Sequence, residues 1–309
     1  MSITKEDILK FKGRGFLLNR GTELFSGRVV SKGGVYSSEQ LLAISECAKK
    51  FASGKISFTS RLSAEIIGIP ADKIDEACDF LADHDLFFGG TGPKVRPITA
   101  CKGTVCVFGN IDTHALAEAL HNRFYIEMGG VKLPHKFKIG VGGCPNSCMK
   151  PSINDVGIEG KRVFELSPEL CRGCSKCIPA SSCPSKAIFF SEGKAVIDKS
   201  KCLNCGVCIS KCPFGAFPKE AKSVVAIYAG GTWGKSKREG TLLSRLFAPE
   251  DALSVVEKIL LWYKENGLSK ERLGKTIDRV GIESLEAAVF NDEILERRNE
   301  IINASIKEN

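Results

Sequence analysis

Twelve of the fourteen cysteines in this chain fall into two ligand frameworks, and any fold it adopts has to bring each framework together in space. Cys202, Cys205, Cys208 and Cys212 stand in CLNCGVCISKCP, a C-x2-C-x2-C-x3-C run closed by Pro213. Such runs hold 4Fe-4S clusters, with the fourth Cys serving the neighbouring cluster. Cys171, Cys174, Cys177 and Cys183 repeat the pattern in CRGCSKCIPASSCP, which ends on Pro184 and has five residues rather than three before its last Cys. The expected wiring is crossed: Cys171, Cys174, Cys177 and Cys212 around one cluster, and Cys202, Cys205, Cys208 and Cys183 around the other. Zinc knuckles also use C-x2-C pairs. The doubled spacing and the two Cys-Pro endings favour clusters.

The second framework is a pair of pairs. ACKGTVC supplies Cys101 and Cys106, and GGCPNSC supplies Cys144 and Cys148. A tetrahedral zinc site would accept these spacings, so the residues around them decide the reading. LPHKFKIGVGG leads into Cys144, and its Lys136 and Lys138 alternate with Phe137. On an extended strand both ammonium groups then point to one face and the ring to the other. Arg96, in VRPITAC, stands five residues before Cys101.

These motifs resemble the sirohaem-containing sulfite and nitrite reductases. The arrangement is most similar to the small anaerobic, dissimilatory-type sulfite reductase subunits that carry an inserted two-cluster ferredoxin domain. The resemblance implies that Cys101, Cys106, Cys144 and Cys148 bind one 4Fe-4S cluster and that Cys148 also bridges to the sirohaem iron, giving three clusters and one sirohaem per chain. The family's first pair is usually C-x5-C, and here it is C-x4-C. L-P-x-K-F-K resembles the family's anion-binding lysine motif. GRVVSKGGVYSSEQL and KISFTSRLSAEIIGIP resemble its ferredoxin-like half, with Arg28 and Arg61 at or near substrate- and sirohaem-binding arginines. GGTWGKSKREGTLLSRLF is similar to a Gly-rich basic stretch that holds sirohaem carboxylates, which implicates Lys235, Lys237 and Arg238.

The implied activity is six-electron reduction of sulfite to sulfide, with nitrite reduction to ammonia on the same cofactors, or a non-catalytic electron-transfer subunit, as alternatives. An anionic substrate beside a cofactor ringed by carboxylates needs cations. Arginine presents a planar fork that stays charged. Lysine can be tuned by burial to move protons. Arg28, Arg61 and Arg96 are therefore expected to bind and orient, and Lys136 and Lys138 to support turnover.

Composition sets the surroundings. At 43% hydrophobic and 26% charged the chain is of ordinary globular make-up. No apolar run is long enough for a membrane span, and the opening MSITKEDILKFKGRG does not read as a secretory leader. Cysteines in C-x2-C runs without a leader point to metal binding in a reducing compartment, hence to the cytoplasm. The net charge of +8 is dispersed and aromatics make up 8%, so nucleic acid is not the expected partner. An acidic ferredoxin, or dedicated electron-input subunits, would suit the basic cluster segment. Because the chain carries one half-unit where larger enzymes of the family carry two, a homo- or hetero-oligomer is expected.

The expected fold class is α+β: a sirohaem sulfite/nitrite reductase half-unit, made of a ferredoxin-like half (1–75) and a cluster- and sirohaem-binding α/β domain (76–168 and 219–309), interrupted by a bacterial-type two-cluster ferredoxin domain (169–218). Apolar spacing predicts helices over about 38–51, 71–81, 113–124, 249–265 and 282–300. Asp112 and Thr113 are candidate caps for the third. Cys47 and Cys78 lie within predicted helices as small apolar residues and receive no role.

Overall fold

The computed structural model describes residues 3–308. Two sheets organise the chain. The first is antiparallel, in the order β1-β2-β4-β3, from Phe16–Leu18 (β1), Leu24–Val29 (β2), Lys55–Phe58 (β3) and Ala64–Pro70 (β4). Around it lie Lys5–Gly13 (α1), Ser38–Phe51 (α2) and Ile74–Ala82 (α3). Helix α2 starts where Ser37 and Gln40 close a capping box, which satisfies backbone donors left free at a helix start. Its Ala43, Ile44, Cys47, Ala48 and Phe51 are buried against Ile66 and Ile69 of β4 and Ile74, Ala77 and Leu81 of α3. The helix after Pro70 opens with a 3-10 turn at Ala71–Lys73, so the α-helical part begins three residues later than the sequence predicts.

The second sheet runs β11-β10-β7-β6-β5. Thr99–Ala100 (β5), Ile139–Gly142 (β6) and Val156–Val163 (β7) are parallel neighbours. Lys222–Ala229 (β10) and Thr241–Leu242 (β11) extend the sheet antiparallel. Between β5 and β6 the chain forms Thr113–Leu120 (α4), whose cap Asp112 accepts the Ala115 N–H at 3.0 Å. It then widens into a π-helix over His121–Glu127 rather than ending near Phe124. The long helix Ala252–Asn266 (α6) is buried along most of its length and shares one core with Ile139, Val141, Val156, Ile158, Val225 and Ile227. Leu273–Val280 (α7) follows. The single helix expected over 282–300 is broken into Ile282–Phe290 (α8), Glu293–Glu296 (α9) and Arg298–Asn303 (α10). The break falls at Asn291, whose side chain accepts the Glu293 N–H at 3.1 Å, a local bond that competes with helix continuation.

Residues 164–221 leave and rejoin the second sheet at one place, because Val163 pairs with Lys222 at the end of the β7–β10 ladder. This excursion contains Ile178–Ser182 (α5) and a hairpin of Ile188–Ser191 (β8) and Lys194–Ile197 (β9). It has its own small core of Cys171, Ala195, Ala216 and Phe217. No helix among the described residues is long and apolar enough to cross a membrane.

Candidate active site and cysteine centres

Five cations converge on one cavity of about 220 Å³: Arg28, Arg61, Arg96, Lys136 and Lys138, with Thr59, Ser60, Ser63, Gly90 and Pro97 completing the lining. The elements that place them come from both sheets. Arg28 on β2 stands opposite Glu65 on β4 and pairs with it at 2.6 Å. Arg61 lies in the turn between β3 and β4, where the Thr59 hydroxyl accepts the N–H groups of Arg61 and Ser63, both at 3.2 Å. Its fork reaches Pro97 O at 2.8 Å, Ile139 O at 3.1 Å and the Asn154 side chain at 3.0 Å. Arg96 and the lysine run are held in extended pairing: Phe137 donates to Lys94 O at 3.1 Å and accepts from the Arg96 N–H at 2.8 Å. Phe137 is fully buried while Lys136 and Lys138 face the cavity, the alternation that an extended backbone imposes.

The cavity has spare donors. Arg61 Nε, Arg96 Nε and Ser63 Oγ are buried with no hydrogen-bond partner, which costs free energy in a closed site and suits one that admits an oxyanion. Crowding of like charge has a second effect. Burial first, and then Arg61, Arg272 and Lys136, bring Lys138 down to about 8. Burial, with Arg272 and Arg96, lowers Lys136. Burial also brings Arg61 and Arg96 down to about 10, so both stay charged at neutral pH. Lys138 so tuned can give up a proton near neutrality, whereas the arginines hold theirs.

One pair that the sequence does not reveal sits behind this cluster. Asp155, fully buried, accepts from the Arg272 fork at 2.7 and 2.8 Å and from the Lys138 backbone N–H at 2.8 Å. It fixes the start of β7 beside Lys138, whose carbonyl accepts the Val156 N–H at 3.0 Å.

The paired cysteines meet at the other end of the same strands. Cys101 follows β5 and donates its N–H to Val141 O at 3.0 Å, while its sulfur accepts the Gly143 N–H at 3.1 Å. A Cβ on Gly143 would come within 2.9 Å of Gly103 Cα, so a glycine is required where the two cysteine loops touch. Burial, with Cys101, Cys106 and Cys148 close by, raises Cys144. Cys148 alone of the four is exposed.

In the excursion, Cys183 lies with Cys202, Cys205 and Cys208 around one small cavity. Burial, and then Cys205, Cys202 and Cys183, push Cys208 up to about 12. Cys171 is buried in the segment's small core, and Cys212 and Cys208 both pack against that core. Burial alone would raise Cys212, but N–H groups of Phe214, Phe217, Ala216 and Gly215 outweigh it and lower the thiol. Among the described residues no three His, Cys, Asp or Glu side chains draw together tightly enough for one metal ion. Four thiols around a shared space instead fit a cluster, which spreads its ligands over its corners. The chemistry of the donor set therefore suits iron–sulfur clusters.

The Gly-rich basic stretch divides. Arg238 is occupied internally, bound to Asp278 at 2.8 Å, Thr241 at 3.1 Å and Gly230 O at 3.2 Å. These contacts fix the turn that carries it. Lys235 and Lys237 are exposed, the latter 4.9 Å from the Trp233 ring. Neither lines the cation cavity.

Comparison with known proteins fits this geometry. Residues 18–84 match the nitrite/sulfite reductase ferredoxin-like half domain, and residues 91–297 match the nitrite and sulphite reductase 4Fe-4S domain. The chain belongs to the nitrite and sulphite reductase family. Among relatives, an uncharacterised protein of Methanocaldococcus jannaschii is 32% identical over 85% of this chain and 90% of its own length. One subunit of the anaerobic sulfite reductase of Salmonella typhimurium is 28% identical over 85% of this chain and 81% of its own. The structure of dissimilatory sulfite reductase I superposes with a TM-score of 0.68 at 21% identity, covering 93% of this chain and 72% of that one, which establishes the shared α+β fold.

Proposed function

We propose that this family member reduces sulfite to sulfide by six electrons at a sirohaem coupled to a 4Fe-4S cluster. The observation that carries the reading is the convergence of Arg28, Arg61, Arg96, Lys136 and Lys138 on one cavity. Cys101, Cys106, Cys144 and Cys148 would hold the coupled cluster, Cys148 being the exposed thiol that would face the sirohaem, and Lys235 and Lys237 are free to meet sirohaem carboxylates. When bound, that pair supplies electrons one at a time to the substrate sulfur. The chain's own residues do the rest. Arg61 and Arg96, both lining the cavity, use their guanidinium groups to bind and orient the oxyanion. Lys138, and Lys136 beside it, give protons to oxygens as S–O bonds break. Cys171, Cys174, Cys177 and Cys212 would hold one further cluster, and Cys202, Cys205, Cys208 and Cys183 another, as the route from an acidic ferredoxin or an input subunit.

The cations precede β5 and β6, and the cysteines follow them. The four residues of β6 separate Lys138 from Gly143, a span of about 16 Å at the usual rise. This favours a site shared between two chains, with the cavity of one facing Cys148 of the other. Protein purified without oxygen should show sirohaem bands perturbed by sulfite and about twelve cluster irons per chain. Brown protein without sirohaem would leave an electron carrier, and a faster rate with nitrite would change the substrate. Mixing a Lys138→Met variant with a Cys148→Ser variant should restore activity through the hybrid pair. A fully active monomer would refute the shared site.

A further inference from the structure

We infer that Tyr125, on the π-helix, is a positioning residue that aligns Arg28 and Arg96 in the anion cavity through the backbone of Gly90. The inference rests on the reading of that cavity as the oxyanion site. Its chain of contacts is short. The Gly90 N–H donates to Tyr125 Oη at 2.8 Å. On its other side, the Gly90 carbonyl accepts from Arg96 Nη1 and, at 3.4 Å, from Arg28 Nη1. The Gly90 carbonyl thus joins an arginine of the ferredoxin-like half to an arginine of the cluster domain, and the N–H of the same residue ties both to Tyr125.

The backbone is built for this contact. Gly90 has φ +76°, a conformation that disfavours side chains, and a Cβ on Gly89 would lie 2.3 Å from Tyr125 Oη. The Tyr125 ring in turn stacks on two flat neighbours: Phe87 at 6.1 Å and His121 at 5.0 Å between centroids. His121 is fully buried, with neither ring nitrogen hydrogen-bonded. Burial, aided by Lys32, brings it down to about 4, so it stays neutral and acts as an aromatic wall. This accounts for two features that the rest of the site leaves unused, a buried histidine without partners and a π-helix over His121–Glu127. The wider i to i+5 turn gives residues beyond α4 a different phase from a continued α-helix, and such turns recur at functional sites.

The test uses Tyr125→Phe, which keeps the stacked ring and removes the acceptor. The Gly90 N–H is then unsatisfied, and its carbonyl is free to turn away from both arginines. A lost buried hydrogen bond of this kind corresponds to about tenfold. Sulfate, which cannot be reduced as sulfite is, should bind the variant about tenfold more weakly by titration calorimetry. For sulfite, KM should rise by a similar factor with kcat within about twofold. In an Arg96→Met background the same substitution should have much smaller effects, because the aligned group is already gone. Additive losses, or a fall in kcat at unchanged KM, would overturn the positioning role. His121→Phe retains the aromatic wall, and a tenfold loss of sulfate affinity in it would also overturn the wall role of that histidine. Wild-type protein that binds sulfate but lacks sirohaem would sink the reductase reading and leave this test standing. Wild-type protein that binds neither sulfate nor sulfite would remove both.

Discussion

The proton on Lys138 should set the alkaline limit of turnover. An ordinary lysine titrates near 10.5, and here burial, Arg61, Arg272 and Lys136 together bring the ammonium down to about 8, with Asp155 opposing them. The acid form is the proton donor, so activity is present below this value and is lost as pH rises through it. About nine in ten molecules carry the proton one unit below the midpoint, and about one in ten a unit above it. In anaerobic assays with saturating sulfite and a reduced dye as donor, kcat should therefore be flat to about pH 7 and fall with a midpoint near 8. Two substitutions should move that midpoint in opposite directions. Arg61→Gln removes a positive neighbour and should raise it, while Asp155→Asn removes the opposing carboxylate and should lower it. A unit charge at about 8 Å and an effective dielectric of 20 is worth about 2 kcal/mol, and partial exposure brings the expected shift to about one pH unit. A midpoint left near 10.5, or an Arg61→Gln shift to lower pH, would refute the assignment of Lys138 as donor.

Two further outcomes follow from the contacts. Cys183→Ser should remove the cluster of Cys202, Cys205 and Cys208 and spare that of Cys171, as read by cluster spectra and iron content; loss of the Cys171 cluster instead would disprove the crossed wiring. Asp155→Asn should also cost about 3–5 kcal/mol in urea unfolding, because the buried Arg272 fork loses its counter-charge, and a double Asp155→Leu, Arg272→Met change should recover most of it; a loss below about 1 kcal/mol would show that the pair is not needed.

What the sequence made legible was local. The spacing of Cys202 to Cys212 and the alternation around Phe137 are properties of a few adjacent residues, and α2 spans the predicted 38–51 because its capping box and apolar stripe lie within it. The parts it concealed depend on distant partners. Asp155 and Arg272 are 117 residues apart in sequence, and nothing in either neighbourhood signals that they share a bond. Tyr125 lies just past the helix expected over 113–124, and the π-turn that redirects it leaves the apolar spacing of Leu116, Leu120 and Phe124 intact, so nothing local singles it out. Arg238 looks free among glycines until Asp278, on α7, is brought against it.

Arg96 shows how the same nearness in sequence can mislead. It stands five residues before Cys101, and Lys138 six before Cys144, which reads as one compact site. Both intervals are extended, β5 and β6 run parallel, and each therefore acts as a spacer that carries its cation to one end of the sheet and its cysteine to the other. Had either interval been helical, its ends would lie only about half as far apart. The strands that make both motifs easy to recognise thus also carry them to opposite ends of the sheet, which is the observation behind the proposal of a site shared by two chains.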